Sequence, residues 1–100
     1  MVKINWTREA IENIHELREF YEPKSASYAK HLTDRLFEKA EVLVQFPQIG
    51  RVVPELDNPK IRELIYKSYR IIYHIVAVDH IDILAVHSGL KPLSDMSIFD

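Results

Sequence analysis

Residues 51–91 read RVVPELDNPKIRELIYKSYRIIYHIVAVDHIDILAVHSGLK. Ile61, Glu63 and Ile65 alternate there with Arg62, Leu64 and Tyr66, and Tyr69, Ile71, Tyr73 and Ile75 alternate with Arg70, Ile72, His74 and Val76. A third run sets Ile81, Ile83 and Ala85 against Asp82, Leu84 and Val86 and ends at His87. Side chains of a strand point to opposite faces at period two, so each run predicts a strand with two distinct faces. Lys67 and Ser68 join the first run to the second, and Val78, Asp79 and His80 join the second to the third. Links this short predict antiparallel hairpins, because a parallel return needs a crossover of about a dozen residues or more. The prediction is a three-stranded meander that holds Glu55, Arg62, Arg70 and His87 on a rigid frame.

Upstream, residues 2–6 are apolar and partly β-branched, which predicts a strand. Thr7 then serves as a helix N-cap, with Glu9 in the first turn where the helix dipole favours an anion. Ala10, Ile14, Leu17 and Tyr21 recur at helical spacing, Ile11 and Phe20 widen the stripe, and Pro23 stops the helix. Ser25 or Ser27 caps a second helix, whose stripe of Ala29, Leu32, Leu36, Ala40 and Leu43 runs on to Phe46, just before Pro47. Two amphipathic helices joined by a short loop predict an antiparallel hairpin over about residues 7–46 that packs on one face of the meander. Residues 47–50 form a turn in which Gly50 can supply a positive φ, residues 51–56 are a weaker strand broken by Pro54, and residues 57–59 are a loop. The expected fold is α+β: an N-terminal strand and a helical hairpin on an antiparallel sheet over about residues 51–87. All of it belongs to one domain, residues 1–100, with a tail at 88–100.

With 100 residues, 47% of them hydrophobic, the chain has enough apolar material for one core. It has no cysteine, which excludes disulfides, thiolate zinc sites and a thiol nucleophile. No apolar run is long enough to span a membrane and the start lacks the pattern of a signal peptide, so a cytoplasmic location is expected. The formal net charge is −2, spread evenly along the chain. A protein that binds nucleic acid by neutralising phosphates carries a basic stripe, and none is present here.

Glu55, Arg62, Arg70 and His87 are the residue types needed to cleave RNA without a metal. A carboxylate takes the 2′-hydroxyl proton, guanidiniums hold the phosphate and an imidazole protonates the leaving oxygen. The competing reading is structural: Glu55 is a solvated loop acid, Arg62 pairs with Glu63 or Asp82 across the sheet, and His87 ends a strand. His74 reads as a packed, hydrogen-bonded histidine. His80, Asp82 and His87 lack a spacing that puts three ligands on one face, so neither metal nor cofactor is expected. Tyr66, Tyr69 and Tyr73 are read as sheet packing ahead of base stacking.

Trp6-Thr7, Phe46-Pro47, Gly50-Arg51, Pro54-Glu55, the run from Ile61 to Leu64, the run from Tyr69 to Tyr73 and the run from Ile83 to His87 follow one another in a familiar order. The chain resembles the RelE/ParE superfamily of toxins from type II toxin–antitoxin modules over nearly its whole length. The resemblance implies a partner antitoxin that wraps the toxin surface and forms a hetero-oligomer with it. It also implies one of two activities: ribosome-dependent cleavage of messenger RNA, as in RelE-like and YoeB-like members, or inhibition of DNA gyrase, as in ParE-like members. For the nuclease it places Glu55 at the YoeB-like glutamate, Arg70 at the central-strand arginine and His87 near the carboxy-terminal catalytic residues. RelE-like members carry a lysine-rich stretch where this chain has Lys60 and Lys67, and an acidic chain docks poorly on ribosomal RNA. The long hairpin and the exit from His87 to Lys91 are similar to ParE-like members. The implied reading is therefore a plasmid-stabilisation type toxin that binds gyrase, with Arg51, Arg62, Arg70, His87 and Lys91 as contacts. The alternatives are an endoribonuclease and a non-toxic member that only binds an antitoxin.

Overall fold

A computed structural model describes residues 1–88. In order, the elements are β1 (Lys3–Trp6), α1 (Arg8–Tyr21), α2 (Ala26–Glu41), β2 (Arg51–Val52), β3 (Ile61–Tyr66), β4 (Tyr69–Ala77) and β5 (His80–Ser88). The strands form one sheet in the order β1-β5-β4-β3-β2, so the chain is α+β, with two helices packed on a mostly antiparallel five-stranded sheet. The three expected hairpin strands are β3, β4 and β5, paired antiparallel as their short links require. β1 pairs parallel to β5, from Lys3 opposite His80 to Trp6 opposite Ile83. Most of the chain lies between these two strands in sequence, and the helical hairpin is part of the crossover.

Thr7 joins helix to sheet at that point. Its hydroxyl oxygen accepts from Ala10 N to cap α1, and it donates to the carbonyl of Ile83 at 2.7 Å, with the Leu84 carbonyl at 3.2 Å. Leu84 is the extra residue of a bulge in β5, because Ile72 faces Ala85 while Tyr73 faces Ile83. Beyond the end of β1, Asn13 on α1 accepts from Val86 N at 2.9 Å, so a helix side chain continues where the edge strand stops. Ser25 caps α2 by accepting from Tyr28 N at 3.1 Å. α2 ends earlier than the proline predicts. A 3-10 turn over Val42–Val44 follows it, with Gln45 N and Phe46 N both bonded to the Val42 carbonyl.

The main core lies between helices and sheet. Ala10 and Ile14 of α1 and Leu32, Leu36 and Ala40 of α2 meet Leu64, Ile71, Tyr73, Ile81 and Ile83, and Trp6 stacks on Phe37 with ring centroids 4.5 Å apart. A smaller cluster of Val53, Ile72 and Ala85, with Leu56, Ile61 and Leu84, covers part of the opposite face. Ile11 and Phe20, expected to widen the core stripe of α1, stay in water, as do Tyr28 and Phe37 on α2 to a lesser degree. Among the described residues no helix is long and apolar enough to cross a membrane.

The turn before β2 is held from beneath. The buried Tyr73 hydroxyl accepts from Gly50 N at 3.0 Å and donates to the Pro47 carbonyl at 2.9 Å. Gly50 does not take a positive φ; glycine is needed there for space, since a Cβ would sit 2.6 Å from both the Glu63 carbonyl and the Tyr73 hydroxyl. Gly50→Ala should destabilise the fold by about 1–3 kcal/mol through overpacking. Tyr73→Phe should cost a similar ~1–3 kcal/mol by leaving Gly50 N and Pro47 O without their partner. Thermal unfolding followed by circular dichroism checks both, at roughly 4–8 °C per kcal/mol for a chain of this size.

Candidate functional site

Period two decides which polar residues meet. Glu63 and Arg70 lie on the side of Ile61 and Ile72, away from the helices, whereas Arg62 lies on the side of Leu64 and faces Tyr73 across the strand pair. Arg70 sits directly opposite His87 on β5. Glu55 comes from a tight turn, in which Leu56 N and Asp57 N both bond the Val53 carbonyl and Val53 and Leu56 pack on the smaller cluster. The sheet thus brings Glu55, Arg70 and His87 to one face and places Arg62 on the other. Lys91 lies outside the described residues.

The centre of the site is Glu63, whose side chain has no exposure to solvent. Arg70 Nε donates to Glu63 Oε1 at 2.5 Å, and Arg51, directly across from Glu63 in β2, donates from Nε to Oε2. Arg70 then closes its Nη1 and Nη2 on the two oxygens of Glu55, both at 2.9 Å. This is the bidentate geometry in which guanidinium and carboxylate match best. The hydrogen bonds from Arg70 hold the Glu55 carboxyl down to about 2, with the charge of Arg51 assisting and burial opposing. The same contact with Glu55, joined by Glu63, raises Arg70 further above its already high value. His87 is buried at 4% exposure beside this network.

Arg62 does not pair with Glu63 or Asp82. Successive residues of a strand point to opposite faces, so Arg62 and Glu63 cannot meet. Arg62 instead donates from Nε to the Pro59 carbonyl at 3.0 Å and from Nη1 to the Gln48 and Gly50 carbonyls at 3.3 and 3.0 Å. Together with Tyr73 it fixes a loop that exposes Phe46 and Ile49 beside an open hollow of about 410 Å³ lined by residues 45–49. Asp82 is bonded to His80 Nε2 at 2.8 Å and to Asn5 Nδ2 at 3.1 Å, and these contacts lower its pKa against the effect of burial. Among the described residues no three His, Cys, Asp or Glu side chains are arranged to hold a metal ion.

A family model described as the ParE toxin of type II toxin–antitoxin systems, parDE, matches residues 4–91. The chain belongs to the ParE toxin family. Among solved structures it is similar to one described as the chromosomal ParDE TA system from P. aeruginosa, with a TM-score of 0.73 and 21% identity over 88% of this chain and 96% of that one. No curated protein matches the sequence. In this ParE-family chain, Glu63 is the site residue that sequence reasoning missed. A signal for it exists: an acid flanked at both i−2 and i+2 by isoleucine lies on the apolar face of its strand and needs a cationic partner there.

Glu63→Ala should destabilise the fold by about 1–3 kcal/mol, because the Nε donors of Arg70 and Arg51 lose their shared acceptor while Arg70 keeps Glu55; denaturant unfolding measures it. Glu55 loses its proton at about 2 when folded against an ordinary 4.5. Its pairing therefore stabilises the fold above about pH 4.5, and that part is lost as pH falls towards 2. Glu55 is 45% exposed, so water screens the pair and the effect should stay within ~1 kcal/mol. An acid titration by circular dichroism should show this limb in the native chain and its absence in Glu55→Gln.

Proposed function

We propose that the chain is a single-domain, cytoplasmic toxin of the ParE type that acts by binding a protein, DNA gyrase, and is held inactive by a co-encoded antitoxin. The observation that carries this reading is the closed Arg70–Glu55 pair. A general base works best with a pKa near the operating pH, and a carboxylate at about 2 with both oxygens taken by one guanidinium is a poor base. Arg62, the second expected phosphate ligand, is committed to backbone carbonyls on the other face. The net charge of −2 argues in the same direction.

Protein binding has support of its own. Ile11 and Phe20 on α1, Tyr28 and Phe37 on α2, and Phe46 and Ile49 on the strapped loop all leave large apolar area in water. The hairpin, the loop on its side of the sheet and a sheet edge suit an antitoxin segment, and Arg51 and Arg70, on the face away from the helices, suit the target.

A second reading, ribosome-dependent RNA cleavage, keeps one observation in its favour, since Glu55, Arg70 and His87 share a face. The purified chain should inhibit supercoiling by gyrase at concentrations that match growth arrest, with Arg51→Ala and Arg70→Ala weakening inhibition by roughly tenfold or more each, as loss of a charged contact implies. Untouched supercoiling would overturn the gyrase reading. Messenger cleavage in a translating extract that disappears in Glu55→Ala and His87→Ala would establish the nuclease, and expression without growth arrest would reduce the function to antitoxin binding.

A further inference from the structure

Two carboxylates serve the same pair of arginines, and they differ in kind. Glu63 has no exposure and binds both guanidiniums by Nε. Glu55 stands on a surface turn, is 45% exposed and occupies only the outward Nη1–Nη2 fork of Arg70. An arginine anchored at Nε keeps its fork aimed and pre-organised, so less freedom is lost when the fork takes a ligand. Arg51 is anchored in the same way and is 61% exposed; among the described residues its side-chain hydrogen bond is the one to Glu63. One acid is thus built into the frame, and the other sits where an incoming carboxylate would sit.

We propose that Glu55 is the resting occupant of a carboxylate receptor formed by Arg70 and Arg51, and that an Asp or Glu side chain of a protein partner displaces it on docking. The proposal rests on the reading above that this face binds a protein, and it adds what the face recognises. The fork already holds a carboxylate with both oxygens at 2.9 Å, which is the geometry the partner's acid would reproduce. With Glu63 and Glu55 in place the two guanidiniums are neutralised; with Glu55 swung out the seat carries one unmatched positive charge and takes one anion. Glu55 therefore competes with the partner as a tethered ligand and lowers its apparent affinity.

The test uses the peptide acetyl-Gly-Glu-Gly-amide, its Gln counterpart and inorganic phosphate, titrated into the full chain with NMR detection of the arginine Nε–H signals. Glu55→Gln should bind the Glu peptide about tenfold more tightly than the native chain, the size expected for removing one competing charge-assisted contact. The Arg51 and Arg70 signals should move and the Gln peptide should do nothing. Adding Arg70→Lys to Glu55→Gln should abolish the gain, and adding Arg51→Gln should reduce it, with circular dichroism checking that each variant keeps the native fold.

Equal affinity in the native chain and Glu55→Gln overturns the proposal. So does binding of phosphate without the peptide, which would assign the seat to a phosphodiester. Gyrase inhibition that persists while the peptide fails to bind sinks this inference and leaves the functional reading standing. Peptide binding with Glu55→Gln, alongside gyrase and antitoxin binding that Arg70→Ala does not change, keeps the receptor and sinks that reading.

Discussion

A carboxylate with no access to water must have its charge met inside the protein, and Glu63 is met by two guanidiniums from two different strands. That requirement fixes more than a local contact. β2 is two residues long, and Arg51 lies directly opposite Glu63, so the ion pair reinforces a backbone ladder that is very short by itself. Arg70 arrives from β4 on the other side, and through it the Glu55 turn is attached to the sheet. A slip of β3 by one residue would turn Glu63 into the helix-side core, where Leu36, Ile71 and Tyr73 offer no cation. Buried ion pairs often add little net stability, since desolvation offsets attraction, yet a single misplaced one is costly. The effect of Glu63 is therefore largely on specificity: it makes one register of β2, β3 and β4 much better than its neighbours.

Arg62 performs the matching task on the opposite face. Beside Tyr73, it satisfies carbonyls of the 47–50 turn and of Pro59, so the chain's entry into β2 and its entry into β3 are tied to the same side chain. Among the described residues every buried side-chain nitrogen and oxygen has a hydrogen-bond partner, which is what a low-dielectric interior demands of this much polarity. Two consecutive residues of β3 thus hold the two faces of one sheet edge, Arg62 a loop and Glu63 an ion network. The loop is rigid by this account while its Phe46 and Ile49 side chains remain outside, an arrangement suited to a preformed contact.

The sheet could be read from the sequence because its signal is local. Alternation at period two marks β3, β4 and β5, links of two or three residues fix their direction, and Thr7 and Ser25 mark the helix starts by chemistry that acts within three residues. The parallel partner of β1 was not legible, because it depends on where a crossover of more than seventy residues returns. The site was half legible. Glu55, Arg70 and His87 do share a face, but their pairing depends on where the turn from Val53 to Asp57 folds back, which no spacing records. Arg62 has the same chemistry as Arg70 and an opposite fate, decided by strand parity and by the Tyr73 hydroxyl beneath it. Glu63 is read from the sequence as one of two cross-sheet partners for Arg62, with Asp82 the other, and strand geometry forbids that pairing between neighbours. The exposure of Ile11 and Phe20 follows from how α1 turns its stripe toward β5, which helical spacing alone leaves open by about one residue to either side.

The balance of charge at the site bears on how a partner would be recognised. Two arginines and two glutamates leave no net charge there, on a chain whose overall charge is −2. Long-range steering needs a sustained potential, and a neutralised cluster on a mildly acidic protein supplies none over distances beyond the Debye length of about 8 Å. On the arginine face the apolar surface open to an encounter is that of Ile65, directly across from Arg70, and Val76. In the proposed docking the arginines come into play afterwards, at contact: an acid placed on the Arg70 fork would exchange with Glu55, and one placed elsewhere would leave a desolvated charge unpaired. Because the exchange replaces one carboxylate with another, it adds little affinity and much discrimination, the division of labour expected of polar groups inside an otherwise apolar interface.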